Sequence, residues 1–229
     1  MRIPMLSRSL QDITAATHAK VRVAALSYRG YWTSRGRPGQ KGIELDAQAF
    51  LQWARTSYPK ARTLVWGQSL GAGIALRAIA QAFERGQFEN RICGIILETP
   101  FVSLRRMLVA LYPQRWLPYR HLWPFLMSSW DSEVSLRTIA SSNDCRPRLL
   151  LLPAAEDEVV PTEEVTHLQA VCEEVRLRYE REDVLHSFHN DASSKNQGRR
   201  CIANFVRSSV NDGVVRCPHP SRESCEQPS

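Results

Sequence analysis

Five residues, Gly67-Gln68-Ser69-Leu70-Gly71, constrain this chain more than any other stretch. They stand between Ala61-Arg62-Thr63-Leu64-Val65-Trp66, which reads as a strand, and an Ala/Leu-rich run from Ala72 to Phe83, which reads as a helix. A serine hydroxyl is a weak nucleophile on its own, so a fold that uses one must hold it proud of the sheet, on a tight strand-to-helix turn where a base can reach it. The pattern predicts that the glycines on both sides of Ser69 serve that turn. They would let the helix and strand backbones approach closely and would tolerate strained dihedrals.

Two later segments supply an acid and a base in the chain order serine, acid, histidine. The apolar run 148–152 has strand length and empties into Pro153-Ala154-Ala155-Glu156-Asp157-Glu158-Val159-Val160-Pro161, where Asp157 is the candidate acid. Taken singly, Asp157 between Glu156 and Glu158 reads as a solvated loop acid; in the context of the three residues it is the acid, and the two glutamates are expected to matter far less to turnover. A strand expected over residues 175–179 leads to Leu185-His186-Ser187-Phe188-His189, with His189 the candidate base and His186 the nearby alternative. Serine chemistry needs a neutral imidazole to take the Ser69 proton and a carboxylate to orient that imidazole. Each of the three residues falls just past an expected strand end, which is where an open α/β sheet builds its site.

The elbow, Asp157-Glu158-Val159-Val160-Pro161, His189-Asn190-Asp191, Ser27-Tyr28-Arg29-Gly30-Tyr31, and Lys41-Gly42-Ile43 with Asp46 together resemble the bud-emergence-type α/β-hydrolases and their animal α/β-hydrolase-domain relatives, a family of membrane-associated serine hydrolases. The similarity runs over about residues 1–208. It implies an α/β-hydrolase fold, a mainly parallel sheet flanked by helices, with Ser69 as nucleophile, Asp157 as acid and His189 as base. The Leu70 N–H would donate to the oxyanion, no metal or organic cofactor would be required, and the substrates would be lipid-like acyl esters or thioesters. In that family a His-Gly-Asn-x-Gly loop, the source of the second oxyanion donor, precedes a segment that aligns with Met1-Arg2-Ile3-Pro4. The comparison therefore predicts that the N-terminal strands are missing, including a third strand that belongs between the fourth and the fifth. Under that expectation the alternative function is a catalytically impaired homologue acting as a membrane-peripheral binding module. Trp32 replaces a family glycine in a turn expected to need a positive φ.

Alternating apolar strands and amphipathic runs predict one α/β domain over residues 1–210, with a lid at about 100–130 and a disordered tail at 211–229. Expected strands cover 21–27, 63–66, 92–97, 148–152 and 175–179, and expected helices cover about 3–18, 43–57, 70–85, 132–139, 162–172 and 194–210. The net charge of +7 is not gathered into a basic run or a recognised nucleic-acid motif, so nucleic acid is not an expected partner. The six cysteines lack metal-ligand spacing, and Cys93 reads as a small buried hydrophobe in a reducing compartment. No apolar run approaches the roughly 18–20 residues that span a bilayer, which points to a cytoplasmic or membrane-peripheral chain. Peripheral membrane contact is expected through residues 104–130, where three of the six tryptophans, Trp116, Trp123 and Trp130, alternate with arginines.

Overall fold

The computed structural model describes residues 3–86, 92–111, 129–141 and 146–211. Most of the expected lid and the whole expected tail beyond Asn211 lie outside them, as do Arg115, Arg120, Trp116 and Trp123. The described chain runs α1 (Ile3–Thr17), α2 (Gln40–Ser57), β1 (Thr63–Gln68), α3 (Leu70–Glu84), β2 (Ile92–Glu98), α4 (Leu104–Leu111), α5 (Ser132–Ser141), β3 (Arg148–Leu152), α6 (Thr162–Glu174), β4 (Tyr179–Arg181), a 3-10 turn (Ala192–Ser194) and α7 (Asn196–Asn211). The four strands form one parallel sheet in the order β1-β2-β3-β4. Parallel neighbours need crossover connections, and the helices supply them.

Period-two alternation sorts the strand side chains onto two faces. Leu149, Leu151, Ile95 and Leu97 point to a cluster with Leu76 and Ile79 of α3, Leu136 and Ile139 of α5, and Leu168 of α6. Leu150, Leu152 and Ile96 point the other way, onto Ile13 of α1 and Ile202 and Phe205 of α7. The sheet is thus covered on both faces, which explains why β3 reads as an unbroken leucine run. A third cluster joins Ile43 and Ala47 of α2 to Ile74 and Ala78 of α3, with Phe101, Trp130 and Val160.

Four expectations are corrected here. Residues 21–27 form no strand; Val23 is 54% exposed, and among the described residues no strand pairs with the outer edge of β1. The last strand begins at Tyr179, later than expected, because α6 runs to Glu174 and then closes on itself. Val175 N–H donates to Val171 O and Leu177 N–H to Cys172 O, Arg176 adopts φ 55°, and Leu177 is folded into the core. Trp130, expected at a lipid surface, is only 3% exposed and packs with Phe101 inside the third cluster. Cys93 is half-buried and its thiol donates to Thr63 O, while among the described residues the fully buried cysteine is Cys172, whose thiol burial pushes up to about 12.

The motif around Arg29 is structural. Its guanidinium lies across Gly42, where a Cβ would stand 2.8 Å from the side chain, and it grips Asp46 of α2 through Nη2 at 2.7 Å. The Arg29 N–H donates to the same carboxylate at 2.9 Å. Trp32 does adopt a positive φ, 47°, and it is 70% exposed. Among the described residues no helix is long and apolar enough to cross a membrane.

Candidate active site

β1 ends at Gln68 and α3 begins at Leu70, so Ser69 alone makes the turn between them. Its backbone sits at φ 50° and ψ −118°, a sparsely populated conformation for a side-chain-bearing residue. Two features hold it there. The Ser69 N–H donates to Glu98 O at the end of β2, 2.9 Å away, and the Ser69 carbonyl accepts from Ala72 N–H at 2.9 Å. The hydroxyl makes no capping bond to α3, so the side chain is not committed to the helix. Leu70 N–H is the first amide of α3, with no acceptor in its own helix, at the positive end of the helix dipole.

The two elbow glycines are not equivalent. A Cβ on Gly67 would lie 2.3 Å from Gly71 O and 2.7 Å from Ala72 Cα, so strand and helix could not approach as they do. A Cβ on Gly71 would meet nothing within 4 Å. The close approach therefore depends on Gly67, and the expectation that both glycines serve it is corrected.

Asp157 and His189 come together past the ends of β3 and β4. His189 Nδ1 stands 3.0 Å from Asp157 Oδ1 and 3.0 Å from Oδ2, with the side chains only 9% and 6% exposed. An ionised carboxylate only accepts, so a neutral His189 ring carries its proton on Nδ1 and offers a lone pair at Nε2. Asp157 is itself fixed, because Val159 N–H and Val160 N–H both donate to its Oδ1 at 2.8 Å. By contrast, His186 faces Glu156 at 3.3 Å on the surface, with side chains 91% and 50% exposed. The loops bring two acid–histidine pairs close, and burial separates them.

Three contributors escaped the sequence reading. Gln68 Nε2 donates to His189 O at 2.9 Å, and the Glu158 carboxylate accepts from His189 N–H at 3.0 Å. Glu158, although exposed, therefore does more than flank Asp157. Glu98, 1% exposed, accepts from Trp66 Nε1 at 3.3 Å and from Ser193 N–H at 3.1 Å, linking the elbow strand to the turn after His189. A glutamate ending the apolar run Ile92-Cys93-Gly94-Ile95-Ile96-Leu97 was the signal available for Glu98. Nothing in local sequence marks Gln68 or Glu158.

A strand–elbow–helix carrying a strained serine, with an acid and a histidine on the loops after later parallel strands, is the architecture of the α/β-hydrolase fold. The model of that fold matches residues 6–142, more than half of the chain, and the chain belongs to this family. Protein bem46 of Schizosaccharomyces pombe is 28% identical over 191 residues, covering 80% of this chain and 57% of that protein. Lysophosphatidylserine lipase ABHD12 of Danio rerio is 29% identical over 143 residues, 61% of this chain and 36% of the lipase. The resemblance to bud-emergence-type hydrolases is thus borne out, and the chain spans about half the length of the curated relatives it matches. The Pyrococcus furiosus esterase superposes with a TM-score of 0.56 at 20% identity, covering 79% of this chain and 67% of that one, a likeness of fold.

Proposed function

We propose that this chain carries the catalytic core of a serine hydrolase acting on an acyl ester or thioester. The observation that carries the reading is the buried Asp157–His189 pair, with Nδ1 3.0 Å from both carboxylate oxygens, on the same sheet end as a serine at φ 50°. In this mechanism Ser69 Oγ attacks the substrate carbonyl carbon while His189 Nε2 takes its proton. Asp157 holds the ring tautomer and stabilises the imidazolium, and the Leu70 N–H supports the developing oxyanion. Collapse expels the alcohol or thiol with the proton returned by His189, leaving Ser69 acylated. Water, deprotonated by the same nitrogen, then releases the acid.

Lipid-like acyl chains are the preferred substrates in this reading. Leu185 and Phe188, on the loop that carries His189, are 61% and 51% exposed and offer apolar surface beside the site. The name of the zebrafish relative, a lysophosphatidylserine lipase, supports the same class.

The test is labelling with a fluorophosphonate, which reacts with activated serines. Ser69→Ala should abolish labelling, and Asp157→Asn should slow it by as much as about 10,000-fold while the fold persists. His189→Ala should behave like Ser69→Ala, and His186→Ala like the parent chain. Labelling that survives Ser69→Ala removes the assignment.

A further inference from the structure

The contacts that bring the acid and the histidine together involve more of the chain than a triad needs. Asp157 and Glu158 are consecutive, yet they address different parts of one residue. Asp157 holds the His189 ring through Nδ1, and Glu158 holds the His189 backbone N–H at 3.0 Å. The His189 carbonyl is held from the opposite side by the Gln68 side-chain amide at 2.9 Å. Gln68 is the last residue of β1 and immediately precedes Ser69. One histidine is therefore bonded at its ring, its N–H and its C=O, and the last of these bonds runs to the residue beside the nucleophile.

From this geometry we infer that Glu158 and Gln68 are positioning residues, a backbone clamp that fixes the distance between the base and the nucleophile. The inference rests on the triad reading above. The loops after β3 and β4 are otherwise joined mainly by Glu156 N–H to Ser187 O and Ala155 N–H to Val184 O, which set the loops but not the His189 main chain. Without the Glu158 carboxylate, the peptide that carries the His189 N–H would keep only the bond from Asp191 N–H to Phe188 O at 3.2 Å within its own loop, and would lose its tie to the loop after β3. Without the Gln68 amide, the acid–base pair would keep its own geometry but drift relative to Ser69. A misplacement of about 1 Å in such an arrangement costs about 100-fold in rate.

Neither residue touches the reacting atoms, so the signature is a loss of rate without a loss of binding or folding. Glu158→Ala should lower kcat on a short p-nitrophenyl ester about 10- to 100-fold, with KM unchanged within about twofold. Glu158→Gln keeps an oxygen acceptor for the His189 N–H and should recover most of that loss. Gln68→Ala should lower kcat similarly, and the double variant should lose less than the product of the two, because the bonds restrain the two peptide groups on either side of one residue. Hydrogen exchange of the His189 amide supplies a readout that does not need turnover: protection should fall in Glu158→Ala and persist in Gln68→Ala.

The clamp is overturned if Glu158→Ala keeps parental kcat, or if its His189 amide stays as protected as in the parent chain. It is equally overturned if Glu158→Gln loses as much as Glu158→Ala. If Ser69→Ala and Asp157→Asn also leave turnover untouched, the triad itself falls; if they abolish turnover while Glu158→Ala does not, only the clamp falls. Should the parent chain prove unreactive, the amide exchange alone decides whether Glu158 holds His189.

Discussion

β1 and β3 are both short, apolar and parallel, yet they live in different surroundings. Leu149, Leu150, Leu151 and Leu152 are fully buried between helices on both faces and strands on both edges. Thr63, Leu64, Val65 and Trp66 pair with β2, with a register shift between Thr63 and Leu64, and remain half-buried. Among the described residues no strand pairs with the outer edge of β1, and the segments that precede it are held by polar clips in addition to the apolar contacts of the third cluster. Arg29 bonds Asp46, Gln48 donates to Ala78 O at 2.7 Å, and Ser34 Oγ donates to Ser27 O at 2.9 Å. The proposed nucleophile stands on the edge side, and the proposed acid and base stand past the ends of β3 and β4. The hydrogen bond from Gln68 to His189 crosses between the two, and Glu98 at the end of β2 bridges them by accepting from Ser69 N–H and Ser193 N–H. One sheet thus carries two kinds of stability, apolar packing around β3 and a larger share of directed contacts near β1.

The largest expected effect tests the packed side. Leu151→Ala removes a side chain with no exposed surface from the main cluster, and such truncations cost about 2–5 kcal/mol. Leu64→Ala, at a half-exposed position, should cost about 1 kcal/mol, since only part of the side chain leaves water on folding. Urea unfolding midpoints compare them directly. Equal losses would break the contrast and mean that β1 is as tightly packed in solution as β3.

This contrast also explains what could be read in the sequence. The run Arg148-Leu149-Leu150-Leu151-Leu152 announced its strand because full burial leaves an unbroken apolar signature. The elbow announced itself through composition on both sides of Ser69. Residues 21–27 carry similar apolar character, but a strand exists only where a partner offers hydrogen bonds, and no local pattern reports partners. Val175 and Leu177 misled for a related reason: their apolar side chains close the end of α6 against the core instead of extending a strand. At the site, residue type and order pointed to Ser69, Asp157 and His189. Choosing His189 over His186 by geometry needed the fold, since only burial and the 3.0 Å approach of Asp157 separate the two histidines. The roles of Gln68 and Glu158 were invisible, because they act on the backbone of a residue far away in sequence.

A second test addresses the elbow, where edge strand and helix meet. Gly67→Ala drives a methyl into the Gly71 carbonyl, a backbone atom that cannot step aside, and overpacking of this kind costs about 1–3 kcal/mol. The turn must open, so fluorophosphonate labelling of Ser69 should fall with stability. Gly71→Ala places its methyl in open space within the first turn of α3 and should be neutral or gain up to about 1 kcal/mol from helix propensity. Thermal unfolding of the two variants, with labelling rates alongside, measures the asymmetry. Matching losses in both would restore the symmetric reading of the motif.

The smallest expected effect belongs to the polar clips of the edge side, and it carries a pH signature that apolar packing lacks. The Arg29 guanidinium, through its hydrogen bonds, holds the Asp46 carboxyl below the usual carboxylate range against an opposing cost of burial, and the Arg29 N–H adds a smaller contribution in the same direction as the guanidinium. A carboxyl whose folded-state pKa lies below its unfolded value of about 3.9 stabilises the fold above that value, and the contribution is lost as pH falls through the folded-state pKa. Asp46→Asn keeps the shape of the side chain and removes the charge. Its unfolding temperature should therefore sit slightly below the parent chain's from neutral pH down to about 5, with the gap closing as pH falls below about 4. Leu151→Ala should show no such closure, because its loss is one of packing. A gap for Asp46→Asn that stayed constant into acid would mean that the contact holds through shape alone, and the distinction between a packed side and a clipped side of this sheet would lose its electrostatic half.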